Sequence, residues 1–287
     1  MQRSVSGTWI SRGTTIYDTL TDWLETALAA AQRTDDLPAL ARLSLDRGIV
    51  AERQGQWDTA QDWYQRVRDT PGADPATCAR VTLGLGVVAE RQGQWDTARG
   101  WYQRSLETPG AEPDTRANAC YGLGIVAERQ GQWDTAQDWY QRAFDAPGAD
   151  PATRASAALG LGIVARQQQQ WDTAQDWYQR AFDTPGANPA TRAKACQDLG
   201  IVAYKQAEYV AARDHYTRAI EFDPGLAAAY RNRGLAWAYG DDRDYRQALA
   251  DARKALEIDP HFQAAREDIE RYQRALDQQS GDSQSDM

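Results

Sequence analysis

Side chains able to do chemistry are sparse in this sequence, and their spacing suits none of the common reactions. His215 and His261 each stand without a companion at the spacing of an HExxH zinc site or a nucleophilic triad, so both read as structural or solvent-facing. Cys78, Cys120 and Cys196 form no CxxC pair, and Cys120 and Cys196 lie 76 residues apart, twice the internal repeat described below. Equivalent helices two repeats apart exceed the roughly 7 Å Cα separation that a disulfide spans. The thiols are therefore expected to be buried and reduced, as in a reducing compartment. Gly84-Leu85-Gly86-Val87-Val88-Ala89 satisfies the G-x-G-x-x-A dinucleotide fingerprint, but the pattern recurs at Gly122 and Gly160 in the middle of helical segments. Phosphate cradling needs the glycines at a strand-to-helix turn, so close backbone packing is the better reading. Glu52, Glu90 and Glu128 are one position copied three times, not a catalytic pair. No catalytic residue, cofactor site or metal site is expected.

Charge and composition narrow the partners. Lys and Arg total 32 against 41 Asp and Glu, a net charge of −9, which opposes long-range attraction to a phosphate backbone and argues against nucleic acid. No run approaches 18 apolar residues, and the opening MQRSVSGTWISRG lacks the apolar stretch of a secretory signal. The expectation is a cytoplasmic chain with no membrane partner. Eleven Trp beside 13 Tyr and only 4 Phe is a bias that core packing does not require, and it points to a copied segment.

That segment is WDTAQDWYQR, unchanged at Trp57–Arg66, Trp133–Arg142 and Trp171–Arg180, altered at two positions in Trp95–Arg104, and degraded to YVAARDHYTR from Tyr209. The spacing is 38 throughout. Within a copy, Trp95, Ala98, Tyr102 and Ser105 recur at i, i+3, i+7 and i+10, and Val81, Leu85 and Val88 at i, i+4 and i+7; each set is one stripe of an α-helix. Gly93 marks the turn between the two helices, and Pro109-Gly110 closes the second. Asp74-Pro75, Glu112-Pro113, Asp150-Pro151 and Asn188-Pro189 open each new first helix, with a good N-cap type in three of the four.

A two-helix unit repeated in this way resembles the tetratricopeptide repeat, whose usual period is 34. Leu85-Gly86, Gly93, Ala98 and Tyr102 match its signature positions, as do Leu123-Gly124, Gly131, Ala136 and Tyr140, then Leu161-Gly162, Ala174 and Tyr178, then Leu199-Gly200, Ala212, Tyr216 and Pro224. The last copy, with Tyr230, Gly234, Ala248, Ala255 and Pro260, has two extra residues in its turn near Asp241. The resemblance implies an all-α, right-handed α-solenoid of about six repeats with a capping helix at each end. The expected layout is an N-terminal segment over 1–37 with an orphan helix at Tyr17–Leu28, the solenoid over 38–260, a cap over 261–277 bearing Phe262, Ala265, Ile269, Tyr272 and Leu276, and a disordered tail over 278–287. Arg47, where later copies carry Leu, fits a first repeat that meets a more polar neighbour. Segments such as PGADPATR and AERQGQWDTA also resemble the sensor arrays found C-terminal to the nucleotide-binding switch of bacterial signal-transduction NTPases.

By the same resemblance, first helices line a concave groove. Its candidate residues are Arg42, Leu45, Ile49 and Arg53; Arg80, Leu83, Val87 and Arg91; Tyr121, Ile125 and Arg129; Leu159 and Ile163; Lys194, Gln197, Ile201 and Lys205; and Arg231. An apolar centre between basic ends suits a protein or peptide partner with apolar anchors and acidic character, and makes the chain a non-catalytic scaffold, a sensor or adaptor in signalling. The alternative is that the leucines pack against neighbouring first helices while the arginines meet Glu52, Glu90 and Glu128 or water. The carboxylate-clamp branch of the family places Asn where these copies have Ile49, Val87, Ile125, Ile163 and Ile201, so chaperone-tail binding is not implied. Trp63, Trp101, Trp139 and Trp177 form a second series, read either as packing or as an outer binding ladder. Self-association of the stack, or a small-ligand or enzymatic solenoid, are the other functional readings.

Overall fold

The computed structural model describes the backbone of residues 12–285 and the side chains of residues 16–279. Every element in it is an α-helix: α1 (Arg12–Arg33), α2 (Leu37–Arg53), α3 (Trp57–Asp69), α4 (Pro75–Arg91), α5 (Trp95–Glu107), α6 (Pro113–Arg129), α7 (Trp133–Asp145), α8 (Pro151–Gln167), α9 (Trp171–Asp183), α10 (Pro189–Lys205), α11 (Tyr209–Phe222), α12 (Ala227–Tyr239), α13 (Tyr245–Ile258) and α14 (Gln263–Ser285). Five first helices, α2 to α10, begin 38 residues apart, and the second helices α3 to α11 keep the same step. The chain divides within α7 into two compact units, one reaching to Thr135 and including Ala146–Ala149, the other holding Ala136–Asp145 and the chain from Asp150 onward.

Local chemistry sets the boundaries. Asp74, Asp150 and Asn188 each accept the N–H of the threonine three residues on, at 2.9, 2.8 and 2.8 Å, while proline follows at the first helical position. Glu112, one methylene longer, makes no such bond. The turns between paired helices need a left-handed residue, supplied by Gly55, Gly93 and Gly131 at φ 71°, 73° and 70°. Gln169 and Ala207 hold the same conformation in the next two copies without that freedom. The second helices stop at Asp69, Glu107, Asp145 and Asp183, two residues short of each Pro-Gly.

In the N-terminal unit the core is built on two tyrosines. Tyr64 and Tyr102 are each 1% exposed, with Ala60, Ala98, Val67, Val81, Leu85 and Val88 buried around them. The Tyr64 ring fills the space where Gly48 and Gly84 lack a side chain, and Tyr102 does the same against Gly86 and Gly122. A Cβ at any of these four glycines would come within 2.6 Å of a ring atom. Each tyrosine thus locks its own first helix to that of the following repeat, and these mid-helix glycines exist to admit it. The tryptophans that lead each second helix, expected on the core stripe, are half-buried at its edge. Arg47 donates to Glu25 at 2.9 Å and to Thr21 at 3.2 Å on α1, the polar neighbour its type implied.

In the C-terminal unit Tyr140, Tyr178 and Tyr216 lie against Gly160, Gly162 and Gly200 respectively. The turn between α12 and α13 spans five residues where that between α10 and α11 spans three, so the two extra residues near Asp241 are accommodated there. Asp244 in that turn caps α13 by accepting from the N–H groups of Arg246 and Gln247, both at 3.0 Å. Helix α14 covers α13 with buried Ala265 and Tyr272 and half-buried Ile269 and Leu276, and turns Arg266, Glu267, Glu270 and Arg274 outward. It runs to Ser285, past the expected end at residue 277; residues 286 and 287 of the expected tail lie outside the described residues.

Candidate peptide-binding groove

Helices α2, α4 and α6 of the N-terminal unit lie side by side. Their exposed stripe bounds a cleft of about 590 Å³. Half-buried Ile49, Leu83, Val87, Tyr121 and Ile125 supply its apolar wall, and Arg53, Arg80 and Arg91 stand exposed at its margin. Arg42 and Arg129 are exposed on the same stripe but do not line the cleft. Leu45 touches the cleft yet is only 2% exposed and belongs to the core, so its part is mainly packing.

The floor carries a feature that residue types alone did not disclose. Tyr64 and Tyr102 point their hydroxyls out of the core to donate to Glu52 Oε2 at 2.8 Å and Glu90 Oε2 at 2.7 Å, and all four residues line the cleft. Burial raises the pKa of both carboxyls above the ordinary glutamate value, although the tyrosine bonds and nearby arginines (Arg91 and Arg53 at Glu52, Arg91 and Arg129 at Glu90) pull the other way. Neither Arg53 nor Arg91 reaches ion-pair distance of a carboxylate among the described residues. The pairing of these arginines with Glu52 and Glu90 that the sequence left open is therefore replaced by Tyr–Glu bonds. The copied Glu and the copied Tyr, 12 residues apart, were both visible in the sequence; the placing of each ring rests on the glycines that admit it, Gly48 and Gly84 for Tyr64, Gly86 and Gly122 for Tyr102.

In the C-terminal unit the same stripe places Ile163 and Ile201 half-buried and Lys194 and Lys205 exposed, whereas Leu159 and Gln197 are 9% and 6% exposed and serve mainly as packing. Arg231 does not stand free: its Nε donates to Asp268 of α14 at 2.7 Å. The register position that is Gly84, Gly122 and Gly160 in earlier copies becomes Asp198, fully buried, with Lys194 at 3.5 Å and Arg166 at 3.8 Å. Burial raises its pKa against the pull of those two cations. Asp198 is not among the groove residues expected from the sequence; the signal for it there is a charged residue in a row of glycines.

The Trp63 series is half-buried, and each indole lies under the guanidinium three residues on: Arg66 at 4.4 Å, Arg104 at 5.0 Å, Arg142 at 4.7 Å and Arg180 at 4.5 Å. That is cation–π packing, which leaves little indole for an outer ladder. Cys196 is buried, with its thiol pushed up to about 11 by desolvation, while Cys120 is half-buried. His215 is half-buried and its pKa is lowered by desolvation and by Arg218, and His261 is exposed. Among the described residues no three His, Cys, Asp or Glu side chains are grouped to hold a metal ion, and no helix is long and apolar enough to cross a membrane.

Paired helices, tyrosine-into-glycine packing and a stripe of first helices beside a cleft define a tetratricopeptide repeat solenoid. Tetratricopeptide repeat models match residues 77–147, 121–188 and 234–262, and the chain belongs to that family, whose members commonly bind protein or peptide partners. None of the curated proteins compared matches the sequence. Among solved structures the chain is similar to the APC/C hetero-tetramer Cut9-Hcn1, with a TM-score of 0.72, 17% identity, and coverage of 90% of this chain and 48% of that one. It thus spans about half the length of that relative. It is also similar to PilF of Pseudomonas aeruginosa (TM-score 0.64, 17% identity, covering 81% and 96%) and to a tetratricopeptide repeat protein of Parabacteroides merdae (TM-score 0.61, 15% identity, covering 92% and 97%). At these identities the likeness is one of fold.

Proposed function

We propose that this chain is a non-catalytic scaffold that binds a segment of a partner protein in the cleft of its N-terminal unit. The observation that carries the reading is the cleft itself: contiguous Ile49, Leu83, Val87, Tyr121 and Ile125 left half-open, beside a margin of exposed Arg53, Arg80 and Arg91. Apolar anchors on the segment would cover the wall, and acidic residues at its edges would meet the arginines. The reading makes the chain a cytoplasmic sensor or adaptor in bacterial signalling, supported by the resemblance of its linkers to NTPase sensor arrays. Peptides selected from a random display library on the folded protein test it. They should share apolar anchors and lose binding to Val87→Asp and Ile125→Asp variants whose helicity is intact; binding indifferent to both substitutions would remove the cleft from the account.

A second reading, self-association, is favoured by α1, where Ile16, Leu20 and Trp23 are 67%, 39% and 61% exposed on one face. Light scattering over a concentration series, with Trp23→Glu beside the wild type, separates the two: a mass that stays monomeric eliminates self-association.

A further inference from the structure

We propose that the cleft floor receives a cationic side chain, a lysine or arginine set between apolar residues of the bound segment, and that Glu52 and Glu90 are the residues that select it. The inference rests on the peptide-binding reading and specifies what the middle of the peptide must be. Each carboxylate already accepts one hydroxyl hydrogen bond through Oε2. No described residue donates to either Oε1, yet neither atom is buried. Both groups line the cleft, so each offers a free lone-pair face to whatever enters it.

The surroundings favour a cation over a neutral donor. Two carboxylates one repeat apart sit in a half-desolvated site, where an entering charge is screened less than on the open surface. The arginines that act on them, Arg53, Arg91 and Arg129, are exposed, so water and salt weaken their compensation. A lysine or arginine stem would lie along Leu83, Val87 and Ile125 while its head reaches the floor, as amphipathic side chains do when they bury a stem and keep a polar tip satisfied. The rim and floor then read opposite charges, and a peptide with an acidic middle is discriminated against. The preference belongs to this unit: in the fourth copy Arg166 occupies the register position of Glu52 and Glu90.

The test uses the full chain and three synthetic, end-blocked, fluorescein-labelled peptides, identical leucine-rich sequences with acidic flanks and a central lysine, glutamine or glutamate. In fluorescence anisotropy the lysine peptide should bind about tenfold tighter than the glutamine peptide, the worth of one charge-assisted hydrogen bond, and the glutamate peptide weakest. In the Glu52→Gln/Glu90→Gln variant, whose amides still accept the tyrosine hydroxyls, the lysine preference should vanish, the affinities of the lysine and glutamine peptides converging. Should the double variant fold poorly, the single Glu90→Gln variant, which keeps Glu52, should show a diminished lysine preference, and an undiminished one counts against the floor. Equal affinity for lysine and glutamine peptides, or a preference that survives both variants, overturns the floor assignment and leaves the cleft standing. Binding of none of the three, or binding untouched by Val87→Asp, overturns the cleft and the floor together.

Discussion

Gly84 shows how one residue type can serve packing at the expense of helix propensity. An alanine there would gain about 1 kcal/mol of propensity, but its Cβ would lie 2.6 Å from the Tyr64 ring, buried on every side. Overpacking of this kind costs roughly 1–3 kcal/mol, so Gly84→Ala should lower the urea midpoint. Gly100, within α5, has nothing within 4 Å of its Cβ position, and Gly100→Ala should raise the midpoint by the propensity term alone. Paired urea melts decide it; two shifts of the same sign would contradict the tyrosine lock. Glu90 gives a second test. Because its folded pKa is raised, ionised Glu90 costs stability at neutral pH, and the cost disappears as pH falls through that raised value toward the ordinary 4.5. Glu90→Gln should therefore melt higher than the wild type near pH 7, with the gap closing on acidification. A gap that widens toward pH 5 would show the hydroxyl bond outweighing burial.

At the scale of the element, most of the architecture was legible because each boundary has its own local cause. Aspartate or asparagine before proline at α4, α8 and α10, glycine two residues after α2, α4 and α6, and a 38-residue step across all five copies made the paired helices readable. What the sequence did not yield was tertiary in origin. Leu45, Leu159 and Gln197 look groove-facing in register, but burial depends on how closely the neighbouring helix approaches, which one helix alone does not encode. Arg231 read as a groove cation, but α14 brings Asp268 within 2.7 Å of it across 37 residues. The uneven capping of α6 is an element-scale prediction. Glu112 stands where Asp74 and Asp150 cap and makes no side-chain cap bond itself. Shortening it in Glu112→Asp should restore the bond to Thr115 N–H and stabilise the fold by about 0.5–1 kcal/mol. Thermal melts check it, and no gain would mean that the α5–α6 linker holds that helix start out of reach.

At the scale of the molecule, a chain of helix pairs that touch mainly their neighbours should lose stability locally, not throughout. Tyr272 is the place to ask. It is 1% exposed and packs among Ala238, Ala248, Leu249 and Ala252, with Trp237, Tyr245, Ile269 and Leu276 around it. It belongs to the terminal helix, which packs on α13. Truncating a buried aromatic costs about 3–5 kcal/mol, a large share of what a domain possesses. In a single cooperative globule that loss would lower amide protection throughout. Among the described residues the cluster around Tyr272 is drawn from α12, α13 and α14, so Tyr272→Ala should release the amides of α14 first and of α13 next. Those of α8 and α9 should keep their wild-type rates, because the Tyr178 contact with Gly162 and the buried Ala158, Ala165 and Ala174 are untouched. Hydrogen exchange resolved by peptide distinguishes the two outcomes. Graded release from the C-terminal end follows if burial is shared between adjacent pairs, whereas a uniform rise through α8 and α9 would require coupling that nearest-neighbour packing does not supply.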